Sequence, residues 1–469
     1  MAAHAAISAP QEPVERAAWS SRALGRPWVL ALAMAIPLVL AYLIWMPPAA
    51  DLAAATYRSD LFARVGFALR DNGWYAVHGH YLLGYSLLSP ALGALIGVRV
   101  SLVLSTLAAS VLFGLIAERA FGLAGGRVAA VVFALGFGVG LLSGRVAYDL
   151  GFVIGLGSVL ALTRGRFALA LVLAVLTSAA SPVAGVFLAL ALLAWALAEG
   201  ALFNRPHVRS FALPAAALAP ILVLSLAYPE GGYEPFASSA FWPALAGVLL
   251  IALLLPRGPL TPRTHRALRI GAALYALALI GSFAIKTPVG GNAARLGPAL
   301  AAPLIAGVGW SGRRATLCLL APLLLYWQLN TPIGDLSLVA GDKSVKTSYY
   351  RPLLSELRRL RDGAPTIVEV PLTAVHWEAA LLAGHDRVSL ARGWERQLDT
   401  RYAALFYRRP LTAAGYRAWL GENHVAYVAL ADTRLDYAGQ AEGALVAHGL
   451  PYLREVWRSE HWRLYRVTP

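Results

Sequence analysis

Apolar stretches fill residues 28 to 331 almost without pause and then stop. Each is close to the roughly 17–25 residues that a helix needs to cross about 30 Å of hydrocarbon. No water is present there to satisfy backbone N–H and C=O groups, so stretches of this kind form helices that close their own hydrogen bonds. Candidate spans are 28–45, 100–118, 127–143, 149–163, 166–180, 183–198, 210–228, 241–255, 269–285, 296–311 and 314–331. Of the 469 residues 58% are apolar and 14% charged, and the mean hydropathy is +0.60. The fold class expected is a polytopic α-helical membrane protein of about eleven transmembrane helices.

The first run, Trp28 to Trp45, follows Arg22 and Arg26 but exceeds the roughly 7–15 apolar residues of a signal sequence. It is therefore expected to be an uncleaved span behind a cytoplasmic tail, 1–27. Arginines fall in alternate turns: Arg16, Arg22 and Arg26; Arg119 and Arg127; Arg164 and Arg166; Arg205 and Arg209; Arg257, Arg263, Arg266 and Arg269; Arg313 and Arg314. By the positive-inside rule these turns face the cytoplasm, which puts the N-terminus inside and everything after 331 outside. That pattern holds only if the apolar segment 81–97, interrupted by Gly84, Ser86, Ser89 and Pro90, does not cross. The net charge of +15 is mostly this arginine, with no basic stripe carrying interleaved aromatics, so nucleic acid is not an expected partner. The single cysteine, Cys318, lies in an apolar stretch and excludes an internal disulfide.

The long polar interruption 46–98 is the first candidate site. It carries Asp51 and Asp60, then Trp74, Tyr75, His78, His80, Tyr81 and Tyr85. Apolar residues at 61, 62, 65, 68 and 69 predict an amphipathic helix from Asp60 to about residue 70, lying on the outer membrane face. Asp60 would be either a general base toward an acceptor hydroxyl or the N-cap of that helix. In an extended segment His78 and His80 would point to one side, where Asp51 or Asp60 could complete a divalent-ion site. The alternative is interfacial hydrogen bonding within an aromatic belt whose rings can also stack on sugars. No metal is assigned.

Arg145 and Asp149, four apart, either pair with each other or face a cavity. Lys286, Asn292 and Arg295 flank a Gly/Pro-broken turn leading into a helix N-terminus. Loose N–H groups and the two cations would hold a phosphate there, unless the cations merely reach to headgroups.

Residues 335–469 have soluble composition and read as a small α/β domain: strand 366–370, helices 374–382 and 412–422, strand 425–430, helix 439–448, and paired strands 452–457 and 462–467. Arg392, Trp394, Glu395 and Asp399 form a polar loop suited to sugar contacts or to structural ion pairs, against which His376, Trp377 and Glu378 are expected to pack.

The order of parts resembles the GT-C superfamily of glycosyltransferases that use polyprenyl-phosphate sugars. The matching pieces are Asp60 after the first span, the helix 60–70 as a jaw helix, Tyr81 to Gly97 with Pro90, and the helix opening at Val98-Arg99. Gly-Trp-Tyr-Ala-Val-His-Gly-His-Tyr-Leu-Leu-Gly-Tyr-Ser, Gly-Gly-Asn-Ala-Ala-Arg-Leu-Gly and Ala-Arg-Gly-Trp-Glu-Arg-Gln-Leu-Asp also look like an actinobacterial family of multi-pass membrane proteins. The resemblance implies transfer from a polyprenyl-phosphate sugar to a cell-envelope glycan or lipid at the outer face of the plasma membrane. Asp60 would be the base and Lys286 or Arg295 the grip on the lipid phosphate. A transporter or flippase, and a non-catalytic envelope assembly protein, remain the alternatives.

Overall fold

The computed structural model describes residues 24–199, 209–229, 232–255, 260–310, 312–407 and 410–468. Arg16, Arg22, Arg205 and Arg257 of the topology pattern lie outside these residues.

Every expected apolar stretch is helical. The helices are Pro27–Trp45, Val98–Val139, Val146–Thr163, Phe167–Ala180, Pro182–Ala198, Ala212–Ala227, Ser238–Leu254, Pro262–Ala284, Leu296–Trp310 and Arg314–Val339. Two of the expected spans, 100–118 and 127–143, are halves of Val98–Val139, which Gly122 breaks at a φ of 69° that other residues rarely adopt. Among the described residues six helices are long and apolar enough to cross a bilayer; Phe167–Ala180, Pro182–Ala198 and Ser238–Leu253 are apolar but shorter. Length alone thus supports fewer crossings than the expected eleven. Ser89–Ile96 has 8 residues, a rise of about 12 Å, too short to span. Small residues bring helices together where lipid gives no hydrophobic drive: a Cβ on Gly125 would lie 2.3 Å from the Gly307 carbonyl oxygen.

The jaw helix runs Ala50–Val65, not 60–70. The Ala53–Ala55 run favours an earlier start, and Gly66, at φ 73°, stops the chain before 68 and 69 can join. Asp60 is therefore interior to the helix and does not cap it. Loop 70–81 is tied off by a short antiparallel pair, β1 (Arg70–Asp71) and β2 (His80–Tyr81).

The C-terminal unit begins with helix Thr347–Leu360, which the sequence reading lacked, and builds a five-stranded sheet. Its strands are β3 (Thr366–Glu369), β4 (Val388–Leu390), β5 (Tyr427–Ala431), β6 (Leu453–Arg458) and β7 (Trp462–Val467), in the order β4-β3-β5-β7-β6. β3 is parallel to β4 and β5, and β7 antiparallel to β5 and β6. The expected helix 374–382 shortens to Glu378–Leu381, because His376 at φ 58° places a turn before it. One apolar core joins both parts of the chain: Leu52, Tyr57 and Trp74 pack in the same cluster as Val368, Leu390 and Trp462. Each fully buried large apolar side chain there stabilises by about 1.5–3 kcal/mol, so the sheet is seated firmly on the jaw helix.

Candidate functional site

Asp51 and Asp60 lie nine residues apart on one helix. That spacing separates them by about 13 Å along the axis and turns them to opposite faces. Asp60 is exposed; burial raises its pKa while Arg64 and His385 lower it. Asp51, in the first turn, faces the apolar bundle and its buried arginines. Its Oδ2 lies 3.3 Å from Arg145 Nε and 3.8 Å from Arg295 Nη2. Arg145 Nη2 donates to Asp335 Oδ2 at 3.1 Å, and Ser143 Oγ donates to the same oxygen at 2.6 Å. Arg145 thus bridges two carboxylates and does not pair with Asp149, which is buried within electrostatic reach of both Arg145 and Arg295. The Arg295 guanidinium lies 5.8 Å from the Tyr148 ring centroid. Arg145, Arg295, Asp51 and Asp335 keep 21, 27, 32 and 35% of their side-chain surface, so the cluster lines an open chamber.

The roof comes from the distant loop 392–399. Arg58, on the jaw helix, holds Glu395 through two hydrogen bonds of 2.7 Å, with both side chains at or below 5% exposure. The guanidinium lies over Tyr85 at 3.9 Å and beside Trp74 at 5.1 Å. Tyr75 Oη donates toward the Gly393 and Glu395 carbonyls at 3.0 and 3.1 Å, and Trp74 Nε1 donates to the Ala379 carbonyl at 2.9 Å. Trp394 stacks on His376 at 4.6 Å, the packing expected for that turn. Burial pushes the Tyr85 phenol up to about 12, against the pull of Arg58.

Several sequence candidates are thereby committed to structure. Trp74 is wholly buried and has no face free for a sugar. Arg392 is sealed behind the sheet against Glu442 at 2.6 Å and Glu369 at 3.4 Å. Burial and the neighbouring Glu442 raise the Glu369 carboxyl well above the ordinary range. The two loop histidines do not share one extended segment: Tyr75 at φ 52° and Gly79 at φ 60° put His78 in a turn, whereas His80 opens β2. His78 faces Tyr402, whereas His80 is 2% exposed, stacks on Trp74 and is pushed down to about 4 by burial and then by Arg58. The glycine turn is also occupied: Gly290 N–H donates to Thr287 Oγ1 and Gly291 N–H to the Pro235 carbonyl. Lys286 reaches toward the Tyr233 ring at 5.9 Å, and Asn292 sits in the 3-10 turn just before Arg295.

Glu234 completes the chamber. Gly232 N–H donates to the Gln397 carbonyl and Glu234 N–H to the Thr287 carbonyl, which pins this segment between the roof and the glycine turn. Burial raises the Glu234 carboxyl to about 7, opposed by Arg396 and Arg295 and aided by Glu395 and Asp51. Its carboxylate takes no hydrogen bond from the described residues, unlike that of Asp51.

No family model and no curated protein matches the sequence. Among solved structures, the chain is similar to the oligosaccharyltransferase of Archaeoglobus fulgidus in the apo form, at a TM-score of 0.56 and 12% identity, over 86% of this chain and 69% of that one. It is also similar to the archaeal oligosaccharyltransferase AglB from the same organism in complex with an inhibitory peptide and a dolichol-phosphate, at 0.50 and 12%, with the same coverage. The fold is similar to that of these oligosaccharyltransferase structures. At this identity the likeness is one of fold, and the site must be argued from its own residues.

Three residues of this site escaped the sequence reading: Arg58, Glu234 and Asp335. Glu234 carried a signal, an acid in a turn with few cations. Arg58 and Asp335 carried none, because their partners are 337 and 190 residues away.

Proposed function

We propose that the protein is an inverting glycosyltransferase using a polyprenyl-phosphate-linked sugar at the outer face of the plasma membrane, with the chamber and the C-terminal domain extracytoplasmic. The observation that carries this reading is a loosely held guanidinium, Arg295, within electrostatic reach of an unbonded carboxyl of near-neutral pKa, Glu234. Glu234 takes the proton of the acceptor hydroxyl. The acceptor oxygen then bonds to the anomeric carbon as its bond to the lipid phosphate breaks, and the departing phosphate carries the electron pair to Arg295. Asp51, itself fixed by Arg145, attracts Arg295 without clamping it, and Tyr85 bounds the sugar space beneath the Arg58–Glu395 fork. The base is assigned here to Glu234 and not to Asp60, which lies on the other face of its helix. The sugar is bound as part of a membrane lipid, and the acceptor is a cell-envelope glycan or lipid.

The test is transfer from radiolabelled polyprenyl-phosphate sugars in proteoliposomes. Glu234→Gln should abolish transfer while donor binding persists, and Arg295→Gln should weaken donor binding. Full turnover by Glu234→Gln would remove it from the mechanism.

A further inference from the structure

A second cavity, of about 650 Å³, lies at the other end of helix Pro262–Ala284, whose C-terminal end leads into the Arg295 turn. The helix has 23 residues, a length of about 34 Å, and the cavity lies along its first half, away from the Arg295 turn. It is lined by Leu260 and by Pro262, His265, Arg266, Arg269, Ile270 and Ala273. Those six helical positions follow the spacing of a single face, basic over the first turns and apolar after Arg269.

Among the described residues no acid pairs with Arg266 or Arg269. Glu199, the carboxylate near this end, is taken by Arg263 and by the Ser210 hydroxyl. Arg266 makes one hydrogen bond, to the Ala198 carbonyl, and Arg269 makes no ion pair among the described residues. His265 Nε2 is shut off from solvent and finds no partner among them. Thr261 caps the helix by accepting the Thr264 N–H, which leaves the positive end of the dipole beside the cavity.

We infer that this cavity is a binding site for an anionic phospholipid of the leaflet opposite the chamber. Its headgroup phosphate sits between Arg266 and Arg269, and an acyl chain runs along Ile270 and Ala273. Charge selects the occupant, because a zwitterionic lipid would place its own cation against two arginines.

The experiment measures lipid retained by the purified full chain in mixed phosphatidylglycerol and phosphatidylcholine, by native mass spectrometry. The wild type should retain phosphatidylglycerol selectively. Each arginine near a membrane surface contributes on the order of fivefold, so Arg266→Gln with Arg269→Gln should cut that selectivity by about 25-fold. Arg266→Lys with Arg269→Lys should keep most of it, which separates lost charge from lost folding. Arg313→Gln, at an exposed turn outside the cavity, should cost no more than the roughly fivefold of a single surface charge. Equal losses in the Arg313 variant, unchanged selectivity in the double glutamine variant, or displacement of the lipid by inorganic phosphate would overturn the assignment.

Discussion

Glu395→Gln tests whether the roof is held by one buried charge pair. The substitution keeps the shape of the side chain and removes its charge, leaving Arg58 buried at 3% exposure with no carboxylate to receive its two donors. Asp71, the other acid in its field, is already bonded by the Tyr57 hydroxyl at 2.7 Å. An uncompensated buried charge costs about 3–5 kcal/mol. The glutamine carbonyl still accepts one hydrogen bond and the Tyr85 face is unchanged, so the lower figure is expected. About 3 kcal/mol multiplies local opening roughly 150-fold, read as faster amide hydrogen exchange in 392–399. Adding Arg58→Met removes the stranded charge and should recover most of the loss, since replacing both partners of a buried pair is often near neutral. Exchange in Glu395→Gln at the wild-type rate, or a double variant opening faster than either single one, would refute the claim that the fork holds the roof.

Three further outcomes follow from the same geometry. His80 is held neutral, so the unfolded chain binds a proton between pH 6.5 and about 4 that the folded chain does not; stability should fall with pH across that window, by up to about 1.4 kcal/mol per unit, and His80→Phe should flatten the slope in thermal unfolding. If Glu234 is the base, transfer should rise with pH through an apparent pKa near 7; Arg396→Gln removes a cation that stabilises its carboxylate and should move the limb upward, so an unmoved limb in pH–rate profiles would detach Arg396 from the site. Arg295→Gln removes a charge-assisted bond of about 1.5–3 kcal/mol and should lower kcat/KM for the lipid donor by roughly 10- to 150-fold, and a smaller drop would place the phosphate elsewhere.

The helices and the sheet were legible because periodicity is local. Alternation in 462–467 located β7, and apolar length located each bundle helix. The jaw helix was misplaced because Asp60 looks like a cap, whereas a cap is defined by backbone conformation that sequence does not display, and Ala53–Ala55 decided the start. Asp60 and Asp51 part for a geometric reason: nine residues of helix reverse the face, and only the helix start tells which acid lies beside Arg145 and Arg295. Loop 392–399 reads in sequence as either a ligand loop or an ion-paired strut. The structure shows the ion pairs, with Arg392 fixed behind the sheet and Glu395 fixed by Arg58.

The two chamber arginines are set apart by their partners. Arg145 donates to Asp51 and Asp335 at 3.3 and 3.1 Å, so an arriving phosphate would have to break two bonds to recruit it. Arg295 has one partner at 3.8 Å, beyond a good hydrogen bond, and an aromatic face that stabilises a cation without using its donors. An anion entering the chamber therefore meets Arg295 with its donors free, while Arg145 keeps Asp51 from following the released guanidinium. That division is what a leaving-group site requires: one cation mobile enough to track developing charge, and one fixed so that the neighbouring carboxylates do not collapse onto it.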